Sequence, residues 1–127
     1  MIVVDSSALI AILMSEPEGL ACQNLLTRQN KLLMSAGTLS EVLIVAGGHG
    51  LGDELKALID QCAIEVIALT SDLAQRVASA YAIWGKGYHP ARLNMGDCFA
   101  YALAKERGCP LLFVGNDFSQ TDIESAL

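Results

Sequence analysis

The sequence has no long apolar run and no basic residue near its start. Its longest uninterrupted apolar stretches, residues 8–14 and 98–104, are seven residues each, whereas a helix that crosses a bilayer needs about 18 or more. A secretory signal peptide has positive charge ahead of its apolar segment, but no basic residue precedes Arg28. We therefore expect no membrane association and a cytoplasmic location.

Basic residues, cysteine motifs and histidines are also scarce. The 8 Lys and Arg residues against 14 Asp and Glu residues give a net charge of −6, which is unusual for a protein that binds a polyanion. Neither the 4 cysteines nor the 2 histidines form a zinc-binding motif, so we expect buried free thiols. A G-x-S-x-G motif is absent as well, which argues against a serine hydrolase.

What is present is an apolar chain of the length of one domain. It has 127 residues, of which 53% are hydrophobic and 17% charged, which is typical of a globular domain and not of a disordered chain. We expect a single domain over residues 1–127.

Strand and helix patterns alternate along this chain. Strands are predicted at residues 1–5, 31–35, 64–69 and 110–114. Helices are predicted at residues 6–15, 16–29, 38–46, 51–62, 70–84 and 94–107, with a short helical tail after residue 117. Capping boxes are predicted at Ser15–Glu18 and Thr38–Glu41. The alternation predicts a three-layer α/β/α fold with a central parallel sheet.

Four acidic residues from distant parts of the chain are expected at one edge of this sheet. Asp5 ends the first strand, Glu41 and Asp97 fall in predicted first turns of helices, and Asp117 follows the last strand. Strand ends and helix starts collect along the same edge, where ligands bind. Glu41, Asp97 and Asp117 could each simply cap a helix, whereas Asp5, directly after a buried strand, has no evident structural purpose.

Together, the four carboxylates predict a metal site. Clustered carboxylates repel one another unless a cation or a proton compensates them, and no basic partner is evident near Asp5. Oxygen-only ligands favour Mg²⁺ or Mn²⁺ over zinc. Such ions activate water for attack on a phosphodiester.

The segments around these acids resemble a known family. They are M-I-V-V-D-S-S-A at the start, T-L-S-E-V around Glu41, N-M-G-D-C-F-A-Y-A-L-A from Asn94, and L-L-F-V-G-N-D-F-S-Q-T-D-I near the end. Over nearly the whole chain they resemble a PIN-domain ribonuclease of the VapC toxin type. The resemblance implies a PIN-like α/β/α domain, Mg²⁺- or Mn²⁺-dependent endoribonuclease activity on RNA, a homodimer and a cognate VapB-type antitoxin.

The resemblance also implies roles for individual residues. Asp5, Glu41, Asp97 and Asp117 would form a catalytic, metal-binding quartet, in which Glu41 positions or deprotonates the attacking water. Ser6 would orient a metal-bound water or an acid. Asn116 would at most support the quartet.

Binding of RNA by an acidic chain would need a local basic patch. The candidates are Arg28, Lys31, Arg76, Lys86, Arg92, Lys105 and Arg107.

Three alternatives remain at this point. A nuclease of related fold could cut structured or single-stranded DNA. A Mg²⁺-binding receiver module would also carry acids at strand ends, but here Asp5 is followed by Ser6 and Ser7, and no lysine follows the last strand. The third alternative is a role in protein binding alone.

Overall fold

Four short strands and six helices alternate along the chain, and the computed structural model describes all residues 1–127. The strands are β1 (Ile2–Val4), β2 (Leu32–Ser35), β3 (Glu65–Ile67) and β4 (Leu111–Leu112). The helices are α1 (Ser6–Leu13), α2 (Gly19–Arg28), α3 (Ala36–Gly48), α4 (Gly52–Gln61), α5 (Ser71–Trp84) and α6 (Met95–Arg107).

The strands form one parallel sheet, which confirms the predicted sheet type. Their order is β3-β2-β1-β4, and Val3 of β1 is in register with Leu33 of β2 and Leu111 of β4. Strands β2 and β3 therefore lie on one side of β1, and β4 lies on the other side, so the strand order reverses at β1. In such sheets the crevice between the two directions lies beside the carboxyl end of the first strand, and here Asp5 follows that strand end.

Apolar cores lie on both faces of the sheet and make the fold a three-layer α/β/α arrangement, as predicted. Because side chains alternate along a strand, Ile2 and Val4 enter one core and Val3 the other. Helices α1 to α4 contribute to the first core, and α5 and α6 to the second. None of the six helices is both long enough and apolar enough to cross a membrane.

Several element boundaries follow the predictions. Thr70 caps α5 by accepting a hydrogen bond from the Leu73 N–H (3.2 Å), and α6 ends at Gly108, whose φ of +61° terminates the helix. All four cysteines are free, as expected, although only Cys22 and Cys98 are fully buried.

The predicted capping box at Ser15–Glu18 is wrong. Ser15 has a φ of +52°, whereas an N-cap residue needs an extended backbone, so Ser15 is a turn residue. Helix α2 begins at Gly19, and Glu18 precedes it without a side-chain capping bond. A side chain at Gly19 would collide with the Ala11 carbonyl oxygen, so this position allows α2 to pack closely on α1.

The predicted capping box at Thr38–Glu41 is wrong as well. Ser35, the last residue of β2, already has an extended backbone and caps α3 by accepting a hydrogen bond from the Gly37 N–H (3.2 Å). The helix therefore begins at Ala36, Thr38 lies inside it, and Glu41 lies in its second turn.

No helix forms after Asp117, so the predicted helical tail is wrong, and Asp117 caps nothing. The tail instead pairs with β4: the Leu111 N–H donates to the Glu124 carbonyl (2.9 Å), and the Ala126 N–H donates to the Leu111 carbonyl (2.9 Å). Strand β4 is at the edge of the sheet, where its open main-chain groups need partners, and the tail supplies them.

Candidate active site

Asp5 lies directly after β1 and is 3% exposed. The expectation that Asp5 has no structural purpose is wrong: it caps α1, because its Oδ2 accepts hydrogen bonds from the Ser7 N–H (3.1 Å) and the Ser7 hydroxyl (2.6 Å). Its Oδ1 is buried without any hydrogen-bond partner. A buried, unpartnered carboxylate oxygen is costly, so one oxygen of Asp5 is fixed by the fold and the other lacks a partner.

Ser7 also connects two strand ends. Its Oγ accepts a hydrogen bond from the Val114 N–H (3.0 Å) while donating to Asp5, so it ties the chain beyond β4 to the start of α1. Ser7 was not among the site residues predicted from the sequence. The available signal was the D-S-S triplet, in which a helix-capping aspartate is followed two residues later by a hydroxyl.

Glu41 reaches this edge from the second turn of α3. The Ser6 hydroxyl donates to Glu41 Oε1 (2.7 Å), so Ser6 orients an acid, one of the two roles considered for it. On its other side Glu41 lies against the first turn of α6, where a side chain at Gly96 would collide with Glu41 Oε2. Gly96 was not predicted from the sequence. The available signal was the glycine itself, because a glycine in a helix is unfavourable unless a close approach requires it.

Asp97 occupies the first turn of α6, as predicted. It forms a reciprocal capping box: its Oδ2 accepts from the Asn94 N–H (3.0 Å), and its own N–H donates to Asn94 Oδ1 (2.8 Å). Asp97 is 9% exposed. Asp97 is therefore a buried acid that is held in place by its own capping box.

The carboxylates influence one another electrostatically. Burial raises the pKa of Asp5 to about 6, and the charge of Glu41 adds to the effect. Burial likewise raises the pKa of Asp97 to about 7, with further contributions from the charges of Asp5, Asp117 and Glu41. The structure thus brings charges from four distant segments into one neighbourhood.

Asp117 and Asn116 are held less firmly. Both are exposed in the turn after β4. The Asn116 carbonyl accepts hydrogen bonds from the N–H (3.1 Å) and hydroxyl (2.6 Å) of Ser119, and nothing connects the Asn116 side chain to the acids. Asp117 acts on Asp97 through its charge and is not anchored by a hydrogen bond.

The four acids do not form a closed metal cage. No three His, Cys, Asp or Glu side chains are arranged so that they could hold one ion, and mutual repulsion is a physical reason for such groups to stay apart. The donor set nevertheless fits a hard cation. All donors are carboxylate oxygens, and the open Oδ1 of Asp5 is a buried acceptor that lacks a partner.

The parallel α/β/α sheet with acids beside its first strand matches a known family: the PIN domain model covers residues 2–124. The chain belongs to the PIN-domain family.

Its relatives show to which group within the PIN-domain family the chain belongs. VapC ribonuclease Mb0640 of Mycobacterium bovis and Ribonuclease VapC30 of Mycobacterium tuberculosis are each 40% identical over 124 residues, which is 95% of this chain and 95% of the relative. Ribonuclease VapC of Mycolicibacterium smegmatis is 40% identical over 95% of this chain and 96% of its own. Within the PIN-domain family, the chain belongs to the VapC ribonucleases.

Solved structures share the fold at lower identity. Mycobacterium tuberculosis VapC20, a Sarcin-Ricin loop cleaving toxin, matches with a TM-score of 0.76 and 16% identity, over 97% of this chain and 96% of its own. A toxin-antitoxin complex from Klebsiella pneumoniae matches with a TM-score of 0.73 and 18% identity, over 96% and 93%. The resemblance stated from sequence is confirmed, and the receiver-module alternative has no support.

Proposed function

We propose that this chain is the toxin of a type II toxin–antitoxin pair and acts as an Mg²⁺- or Mn²⁺-dependent endoribonuclease. The observation that carries the proposal is the buried Asp5, with one oxygen fixed by Ser7 and the other without a partner. The relatives, each about 40% identical over nearly the whole chain, are called ribonucleases.

The residues at the sheet edge would have different roles in the reaction. Asp5 and Asp97 would hold the ion, with Asp117 completing the set from the turn after β4. When bound, the ion would lower the pKa of a bound water and stabilise the charge that develops on the phosphodiester. Glu41, oriented by the Ser6 hydroxyl, would position the attacking water or accept its proton.

A homodimer is part of this proposal. Ile44, Leu69 and Met95 are large apolar residues that are 76%, 38% and 65% exposed. Two adjoining cavities of about 670 and 530 Å³ share Leu69, Met95 and Phe99. Most residues that line these cavities are apolar or small, and only Lys86 and Glu41 are charged; large exposed apolar patches are rare on monomers. A second copy of the chain would cover it, and light scattering measures the resulting mass.

The second proposed partner is a VapB-type antitoxin. Support comes from the structural neighbours, of which one is described as a toxin-antitoxin complex and another as VapBC2 from Rickettsia felis bound to a promoter fragment. In a growth experiment, induction of the chain should arrest bacteria, and co-expression of the small open reading frame beside its gene should restore growth.

The decisive test compares the wild-type chain with Asp5→Asn on labelled RNA in Mg²⁺. Asparagine keeps the size of Asp5 but removes the charge, so we expect cleavage to fall by at least about 100-fold with an unchanged circular dichroism spectrum. Asp5→Asn should also fail to arrest growth. Unchanged RNA cleavage would refute the assignment, and equal cleavage of a DNA oligonucleotide of the same sequence would favour the DNA-nuclease alternative.

A further inference from the structure

The connection between α5 and α6, residues 85–93, is a loop whose conformation is fixed by main-chain hydrogen bonds. Its ends are joined: the Lys86 N–H donates to the Leu93 carbonyl (2.9 Å), and the Leu93 N–H donates to the Trp84 carbonyl (3.1 Å). Inside it, the Gly85 carbonyl accepts hydrogen bonds from the main-chain N–H groups of Tyr88 and His89 (2.9 and 3.0 Å). The loop therefore has a defined shape.

Aromatic contacts hold the side chains of this loop in place. The Trp84 and His89 rings meet edge to face with centroids 4.7 Å apart, and the Tyr81 and Tyr88 rings do so at 5.9 Å. His89 Nδ1 accepts a hydrogen bond from the Ala91 N–H (3.0 Å), so the neutral ring carries its proton on Nε2, which is a donor. Tyr88 is nevertheless 68% exposed, which leaves much of its ring available to a ligand.

The loop is one of two cationic, acid-free parts of an acidic chain; the other, between Glu18 and Glu41, contains Arg28 and Lys31 before β2, at the opposite edge of the sheet from the acids. No acidic residue occurs between Asp72 and Asp97, whereas Lys86 and Arg92 lie in that interval. Three other candidates for a basic patch are neutralised by ion pairs: Arg76, Lys105 and Arg107 contact the acids Asp72, Glu106 and Asp122. Lys86 and Arg92 form no ion pair, so their charges are free to attract an anion.

The position of the loop connects it with the acidic edge. It runs directly into Asn94, which caps α6 and fixes Asp97. The loop lines a surface cavity of about 530 Å³. Lys86 also lines, with Asn94 and Met95, one of the two cavities that a second copy of the chain would cover. The loop therefore borders the proposed dimer contact and leads into the helix start that carries Asp97.

We propose that the 85–93 loop docks the backbone of the RNA substrate, with Lys86 and Arg92 contacting phosphates and Tyr88 stacking on a base. The proposal rests on the proposed ribonuclease function and specifies which surface of this chain binds the RNA. Cationic side chains beside an exposed aromatic ring are the combination that binds single-stranded nucleic acid. It also explains how a chain with a net charge of −6 can hold a polyanion.

The first test removes the two charges and compares the result with a matched change elsewhere. Lys86→Gln with Arg92→Gln should raise KM for a labelled single-stranded RNA about tenfold with kcat changed less than about twofold. In EDTA, fluorescence anisotropy should show the slope of log Kd against log salt reduced by about 0.7 for each phosphate that the variant no longer neutralises. The control is Arg28→Gln with Lys31→Gln, two exposed cations that also form no ion pair but lie before β2, at the edge of the sheet opposite the acids, and it should resemble the wild type.

The second test concerns the aromatic ring. Tyr88→Ala should weaken RNA binding about fivefold or more, whereas Tyr88→Phe, which keeps the ring, should bind like the wild type. A general loss of folding would not distinguish these two variants in this way.

The outcomes separate the loop from the function. If the wild-type chain cleaves RNA and the loop variants match the Arg28/Lys31 control, the docking proposal fails and the ribonuclease function stands. If the wild-type chain cleaves no RNA, the function fails and the docking proposal fails with it. A poly-glutamate peptide serves as a second probe: loss of peptide binding with RNA binding intact would assign the loop to an acidic protein partner and overturn the proposal.

Discussion

Two neighbouring serines at the start of α1 hold two different acids, and their removal should have different consequences. Ser7→Ala leaves the Val114 N–H and Asp5 Oδ2 without the hydroxyl that both use, so we expect the free energy of unfolding to fall by about 1–3 kcal/mol. Ser6→Ala removes only the bond to the half-buried Glu41, which should cost less than about 1 kcal/mol but lower RNA cleavage about tenfold.

Urea denaturation and cleavage rates measure the two effects. Ser6→Thr is the matched control because it keeps a hydroxyl, and it should retain activity. Equal loss of stability in Ser6→Ala and Ser7→Ala would contradict the different roles assigned to the two side chains.

The acids themselves should make the metal-free protein less stable as the pH rises. The pKa values of Asp5 and Asp97 are raised from 3.8 to about 6 and about 7 in the folded state, so between pH 4 and 7 the folded state binds more protons than the unfolded state. The contribution of these two acids to the free energy of unfolding is then fully present at low pH and falls by several kcal/mol as the pH rises toward 7, since one unit of pKa shift corresponds to about 1.4 kcal/mol.

Urea denaturation in EDTA across this pH range measures the fall. Asp97→Asn keeps an acceptor for the Asn94 N–H but cannot ionise, so its stability should depend less on pH than that of the wild type. Added Mg²⁺ should reduce the fall, because a cation favours the ionised acids. An identical pH dependence of Asp97→Asn and the wild type would contradict the inferred burial cost.

At the scale of elements, the approach of the Glu41 side chain of α3 to the first turn of α6 depends on Gly96. Alanine normally stabilises a helix relative to glycine, but at this position its Cβ would collide with Glu41 Oε2. Because the end of a glutamate side chain can move, Gly96→Ala should leave stability nearly unchanged and displace Glu41, which should lower RNA cleavage about tenfold.

Gly47→Ala in α3 provides the comparison. Nothing lies within 4 Å of a Cβ added at Gly47, so this change should raise the free energy of unfolding by about 0.5–1 kcal/mol without altering cleavage. Full cleavage activity in Gly96→Ala would show that Glu41 does not need its present position.

Elements whose signals are local could be predicted from the sequence, and those shaped by neighbours could not. Helix α6 was predicted correctly because Asn94 and Asp97 cap it within four residues and Gly108 ends it. The starts of α2 and α3 were not, since Gly19 is set by contact with α1 and Ser35 belongs to a strand that exists only within the sheet. Local S-x-x-E and T-x-x-E patterns carry no information about those contacts.

In the candidate site as well, the features that follow from sheet topology could be predicted, and those that depend on contacts between distant residues could not. The gathering of Asp5, Glu41 and Asp97 at one edge could be predicted, because parallel topology alone determines which strand ends and helix starts meet there. The contributions of Ser7 and Gly96 could not, because each depends on a partner far away in the chain: Val114 for Ser7 and Glu41 for Gly96. Metal binding stays a prediction.

A hydrogen-bonded chain across three elements ties the tail to the rest of the fold, and it yields a prediction at this scale. Trp84 of α5 donates through Nε1 to the Tyr101 hydroxyl (2.9 Å), which donates to Asp122 of the tail. Tyr101→Phe would leave the partly buried Trp84 N–H without its acceptor, so we expect the free energy of unfolding, measured by urea denaturation, to fall by about 1–2 kcal/mol. Lys105→Gln removes only an ion pair between exposed groups, so it should cost less than about 1 kcal/mol. If Lys105→Gln proves the more damaging change, the tail is held by surface charge and not by the tyrosine that links it to α5 and α6.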